Sequence, residues 1–188
     1  MDRSYKILPV VVIMALVISG CNRVFVHDTP GPRANYNDGD FEFATHKGAI
    51  VTAVAGNPFD LPKQQFDTAV RVEMTRSVTI GTANFVAMAG DETVAPFKVV
   101  VAFNTAPSIS NYDLCKHGAK TSIAPQSSRI NVKMAFCEGD NLKSGTAAWV
   151  YGASNASDNR FKDLVRQAAI TMIPIQDGEE NGESIFRP

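Results

Sequence analysis

Polar and apolar residues alternate most regularly in the middle of the chain. In residues 96–104, PFKVVVAFN, the side chains of Phe97, Val99, Val101 and Phe103 alternate with Lys98, Val100 and Ala102. In residues 129–137, RINVKMAFC, Ile130, Val132, Met134 and Phe136 alternate with Asn131, Lys133, Ala135 and Cys137. A period of two with one wholly apolar face predicts strands of a sheet covered on one side. TAAWVYGAS (146–154) continues the pattern and puts Trp149 and Tyr151 on one face. Residues 49–54, AIVTAV, and 84–89, NFVAMA, are short and β-branched or apolar, and also read as strands.

Two segments change to a helical period. In LPKQQFDTAVRVEMTRS (61–77), Phe66, Ala69, Val70 and Met74 form one stripe, with Asp60 and Pro62 supplying the start and Asp67 and Arg71 spaced to pair on the outer face. In NRFKDLVRQAAITMI (159–173) the stripe is Phe161, Leu164, Val165, Ala168 and Met172; Ser157 or Asp158 caps it and Pro174 stops it. The order β-α-β-β-β-β-α predicts an α+β fold: an antiparallel sheet of four to five strands with two helices packed on one face. The single domain is expected over residues 48–174.

The flanking composition differs. Residues 21–47 are rich in Pro, Gly, Asn and Asp, which break regular structure, and read as a flexible tether. Fully extended, the 26 residues from 22 to 47 would span roughly 80 to 90 Å. Within them Val24-Phe25-Val26 and Phe41-Glu42-Phe43 offer short apolar pieces for local docking, and His27 and His46 read as solvated. Residues 104–129 read as a long polar connection, and 175–188, IQDGEENGESIFRP, as a disordered acidic tail.

The first 20 residues are of another kind. MDRSYK carries Arg3 and Lys6 against Asp2, and ILPVVVIMALVISG follows with 14 uncharged residues. A spanning helix needs about 20 apolar residues. A basic head, a short apolar run and a small-residue end make an export signal. Ile18-Ser19-Gly20-Cys21 resembles the lipobox of bacterial lipoproteins, in which an aliphatic residue and two small ones precede a cysteine. That resemblance implies cleavage between Gly20 and Cys21, a diacylglyceryl thioether on Cys21, and acylation (palmitate is a usual chain) of its new amine. It implies a periplasm-facing protein of the bacterial cell envelope. Asn22, in place of the Asp that retains such proteins at the inner membrane, points to the outer membrane.

Without residues 1–20 the chain holds 16 basic and 18 acidic residues, a formal charge of −2. A nearly neutral body gives no electrostatic case for nucleic acid. Of three cysteines, lipidation would use one, leaving Cys115 and Cys137 as an even pair in an oxidising compartment and so a disulfide. The competing reading is a metal site with His117, for which the cysteine spacing and a clear fourth ligand are missing, so no metal or cofactor is expected.

Candidate chemistry is sparse. Asp113, Cys115 and His117 alternate, and in a strand would share a face, so a thiol-dependent enzyme is the third functional reading; a disulfide at Cys115 would remove its nucleophile. Glu138 and Asp140 flank Gly139 and read as a turn with solvated acids. Asn155-Ala156-Ser157 fits a glycosylation pattern that a bacterial export signal makes incidental. Trp149 and Tyr151 are candidate ligand contacts, a stacking platform for a sugar or peptide, or else core.

GNPF (56–59), YDLC (112–115) and AFCEGDN (135–141) also resemble segments of small uncharacterised proteobacterial envelope lipoproteins. The resemblance implies no activity and assigns no functional residue. The sequence as a whole predicts a non-catalytic, membrane-anchored lipoprotein that binds or scaffolds an envelope protein or cell-wall component. The alternative is a small-ligand or lipid-binding module with its ligand between helices and sheet.

Overall fold

The computed structural model describes residues 23–28, 36–79, 83–87, 96–118 and 128–173. Ten elements follow one another: β1 (Phe25–Asp28), α1 (Asp38–Thr45), β2 (Ala49–Ala55), α2 (Lys63–Ser77), β3 (Asn84–Ala87), β4 (Phe97–Phe103), α3 (Asn111–His117), β5 (Arg129–Glu138), β6 (Asn141–Tyr151) and α4 (Asn159–Met172). The α+β class holds. The sheet has six strands in the order β1-β6-β5-β4-β2-β3, and four helices accompany it.

The sheet is mixed, which corrects the antiparallel expectation. β4–β5, β5–β6 and β1–β6 are antiparallel, but β2 is parallel to both β3 and β4. The reason lies in α2. A helix between two strands returns the chain to the end where the first strand started, so β2-α2-β3 is a crossover unit whose strands run the same way. Alternation within a strand reports which face is buried and carries no direction.

The expected apolar face is the main core. Phe97, Val99, Val101 and Phe103 of β4 and Ile130, Val132, Met134 and Phe136 of β5 are buried in one cluster with Phe66, Val70 and Met74 of α2 and the α4 stripe. Rings fill the space under the helices: Phe66 lies 5.2 Å from Phe103 and 5.8 Å from Phe161, and Phe59 lies 5.0 Å from Phe161. A third helix, α1, joins this face through Phe41, 5.5 Å from Phe136. Lys143 on β6 ties α1 down by a 2.8 Å contact with Asp40, and that hydrogen bond raises the lysine's pKa.

The two-helices-on-one-face expectation is corrected on the other side too. α3 packs on the opposite face, where Leu114 and Cys115 meet Val100, Ala102, Ala135, Cys137 and Leu142 in a second buried cluster. Of the residues between the large apolar ones, Val100 and Ala102 on β4 and Ala135 and Cys137 on β5 are small or short and apolar, which leaves room for a helix over them.

β1 and α1 lie within 21–47, so at these residues the folded body starts ahead of residue 48. β1 pairs along the edge of β6, and α1 begins at Asn37, whose side chain accepts the Gly39 amide. Likewise α3 falls within the expected connection 104–129. The segment 1–20 expected to be an export signal, Cys21 and the expected tail 175–188 lie outside the described residues.

Helix ends follow local chemistry. α2 starts after Pro62 without a side-chain cap, and Asp67 pairs with Lys63 rather than with Arg71. α4 is capped by Asp158, which accepts from the Arg160 amide at 2.9 Å and pairs with its guanidinium at 2.7 Å. The hydrogen bonds from Arg160 hold the Asp158 carboxyl well below the usual carboxylate range. A depressed folded pKa stabilises above the unfolded value, near 3.8, and the stabilisation is lost as pH falls toward the folded value. Asp158→Ala should therefore cost about 1 kcal/mol at neutral pH. Urea unfolding across pH should show the gap to wild type narrowing below about pH 4; a gap independent of pH contradicts the charge assignment.

Candidate functional site

The α3 side of the sheet carries most of the residues singled out in the sequence, in two halves. In one half, α3 starts with a capping box: the Ser110 hydroxyl accepts the Asp113 amide, and the Asp113 carboxylate accepts the Ser110 amide at 2.7 Å. These bonds from Ser110 lower the Asp113 pKa. Residues two apart on a helix stand some 200° apart around its axis, so Cys115 is turned away from Asp113 and His117, which stand four apart on the other side, and the three do not share a face as strand residues would. Cys115 is buried under α3, whereas His117 is exposed.

The Cys115 and Cys137 sulfurs lie 1.99 Å apart, with Cα atoms 5.6 Å apart, joining α3 to β5. Asn111 fits over Gly145, where a Cβ would come within 2.3 Å of its Nδ2, and that amide donates to the Thr146 carbonyl at 3.3 Å. Lys133 donates to the Ile109 carbonyl, and burial lowers its pKa. A bonded Cys115 carries no thiolate, so this half is a clamp that holds α3 to the sheet. The pair closes a loop with a sequence separation of 22 residues. Replacing both cysteines by alanine should lose about 3 kcal/mol by the chain-entropy estimate. Denaturant unfolding of the oxidised protein and the double variant measures this, and equal midpoints would refute the clamp.

The other half presents side chains outward. Trp149 and Tyr151 share one face, as expected, and the structure adds two neighbours. Phe25 is the strand partner of Trp149, their rings stacked 5.5 Å apart and 10° from parallel. The Arg129 guanidinium lies 5.7 Å from the Trp149 ring centroid, and Arg129 is the strand partner of Tyr151. Trp149 is half-buried, whereas Phe25 is 42% and Tyr151 52% exposed. Ala148 and Val150 point to the main core instead, so Trp149 and Tyr151 are not core residues of the helical layer. The signals for the added neighbours were the short apolar piece Val24-Phe25-Val26 and the arginine opening RINVKMAFC.

Other candidates fall elsewhere. Glu138 ends β5 and Asp140 follows Gly139 in the two-residue β5–β6 hairpin loop, where Gly139 has φ 58°, the pattern of a type II′ turn. Asn155 makes a local turn, its side chain accepting the Ser157 amide at 2.8 Å. His46 follows α1, its ring stacked on Phe43 at 5.2 Å, and His27 lies in β1. A surface groove of about 320 Å³ runs between Arg71, Val72, Thr75 and Arg76 of α2 and Asn84 and Phe85 of β3. It lies at the sheet edge, whereas the layer between α2, α4 and the sheet is packed with phenylalanine rings. Among the described residues no group of three or more His, Cys, Asp or Glu stands together to hold a metal ion. None of their helices is long and apolar enough to cross a membrane. Compared with protein-family models, curated proteins and solved structures, the chain matches none of them.

Proposed function

We propose that the protein is a membrane-anchored lipoprotein of the bacterial envelope, the simplest reading of LVISGC, whose α+β body is a non-catalytic binding or scaffolding module facing the periplasm. 

The observation that carries this reading is the position of the motif relative to the fold. Cys21 stands four positions before Phe25, the first residue of β1, so a lipid on Cys21 would hold the edge of the sheet close to the bilayer. Asn22 favours the outer membrane. The Cys115–Cys137 pair supports an oxidising compartment such as the periplasm.

The task of binding or scaffolding takes its support from the outward side chains of Phe25, Trp149, Arg129 and Tyr151, aromatic and arginine groups of the kind that dominate recognition surfaces. The experiment is proximity labelling in the native bacterium from a tag at residue 188. The reading expects a reproducible set of envelope proteins or cell-wall enzymes around the tag. A labelling pattern no different from that of an unrelated lipoprotein, across growth conditions, contradicts it.

The groove between α2 and β3 favours the small-ligand reading, because its volume reaches the range of ligand sites. Its place at the sheet edge differs from the expected position between helices and sheet. A ligand that co-purifies with the wild type and is lost from Val72→Trp, a substitution that fills the groove, would move the assignment to that reading.

A further inference from the structure

The Phe25–Trp149–Arg129–Tyr151 face has a composition, a location and a leash that together specify an occupant. We infer that it lies against the phospholipid interface of the membrane that holds the lipid anchor. The inference rests on the anchored reading of Cys21.

The leash comes first. From Cys21 to Phe25 the chain advances four residues, which at full extension reach roughly 14 Å. β1 is an edge strand, and Phe25 begins it. A cysteine acylated at the bilayer surface would therefore keep Phe25, and Trp149 stacked on it, within reach of the headgroups. A tether running to residue 47 would have imposed no such constraint.

The chemistry comes second. Tryptophan and tyrosine concentrate where hydrocarbon meets water, because the ring is apolar and one edge is polar. Arginine at that depth lays its stem on apolar surface and keeps its charge among phosphates. Arg129 and Arg23 are both exposed, one beside Trp149 and the other two residues before Phe25. On the same side of the sheet α3 adds exposed Lys116 and Tyr112, the latter 47% exposed. The opposite face is covered by α1, α2 and α4 and is occupied by the core. Laid on this side, the domain turns those three helices and the α2–β3 groove toward the periplasm.

Trp149 is the single tryptophan of the chain, so its fluorescence reads the face directly. The full chain, processed in bacterial membranes and purified in detergent, is reconstituted into vesicles of phosphatidylethanolamine and phosphatidylglycerol, with and without phospholipids brominated in their acyl chains. The expected result is loss of most of the emission to the brominated lipids, with the emission in unbrominated vesicles resistant to aqueous acrylamide. Arg129→Glu and Tyr151→Glu, at exposed positions, should restore emission while leaving the thermal midpoint unchanged.

Emission that brominated lipid leaves intact and aqueous acrylamide quenches overturns the inference. Emission shielded from both assigns the face to contact with a second copy of the chain and overturns it as well. The mass of the N-terminal peptide separates the two layers of the account. An acylated Cys21 with unquenched Trp149 removes the face and leaves the anchor. An unmodified Cys21 with Trp149 quenched on addition of vesicles removes the anchor and leaves the face.

Discussion

Cys21→Ala is expected to release the protein from its acylated state altogether: no labelled fatty acid is incorporated, the export signal is retained, and the anchored form disappears from the membrane fraction. The motive is chemical. A thioether to diacylglycerol needs the Cys21 sulfur, and no other side chain in Ile18-Ser19-Gly20-Cys21 offers a nucleophile of that kind. Serine at the same place keeps the volume but not the thiolate, so Cys21→Ser should behave as the alanine variant does. Each methylene buried in the bilayer contributes about 0.8 kcal/mol, and two or more chains together hold a protein firmly. Metabolic labelling with a fatty acid, followed by gel autoradiography of wild type and variant, reads the loss. Equal labelling of the two proteins would refute the site.

Phe66→Ala should carry the largest stability cost among single substitutions in the body. Phe66 is fully buried and touches three rings, Phe59 at 6.2 Å, Phe103 at 5.2 Å and Phe161 at 5.8 Å. These rings come from the loop before α2, from β4 and from α4, so the side chain joins both core helices to the sheet. Truncation removes the transfer energy of the ring and leaves a cavity whose walls are held by separate elements. The cost is about 3 to 5 kcal/mol, a large part of the total for a domain of ordinary stability. Ile170→Ala on the outward side of α4, 49% exposed, should change stability by less than about 0.5 kcal/mol. Urea denaturation compares the two midpoints. A Phe66→Ala midpoint as close to wild type as that of Ile170→Ala would contradict the packing.

Much of this core was legible in the sequence because α2, α4, β4 and β5 are long enough to repeat their period. Phe66, Val70 and Met74, or Phe97, Val99, Val101 and Phe103, report burial without knowledge of their partners. α1 and α3 have eight and seven residues, about two turns each, and periodicity cannot declare itself over that length. Their stability comes from docking: Phe41 against Phe136, and Cys115 bonded to Cys137. α3 did carry a local signal, since Ser110 followed three residues later by Asp113 is a capping box. β1 is four residues of an edge strand whose place depends on β6, more than 100 residues on, and no local pattern encodes that pairing. The same holds for the candidate face. Trp149 and Tyr151 were visible as an alternating pair, but Phe25 and Arg129 reach them only through strand pairing.

Helix and strand patterns thus located the layers, while the direction of β2 and β3 came from the connection between them. A reading of strand direction from alternation alone treats every pair as a hairpin. α2, placed between β2 and β3, was the available warning, since two strands joined by a helix run parallel more often than not.

The most direct test of the account is mass spectrometry of the N-terminal peptide from protein purified out of native bacterial membranes. The account predicts a peptide that begins at Cys21, lacks Met1 to Gly20, and carries a diacylglyceryl group on the sulfur with a further acyl chain on the amine. A peptide that retains Met1, or one that begins elsewhere and shows Cys21 as an unmodified thiol, would contradict it.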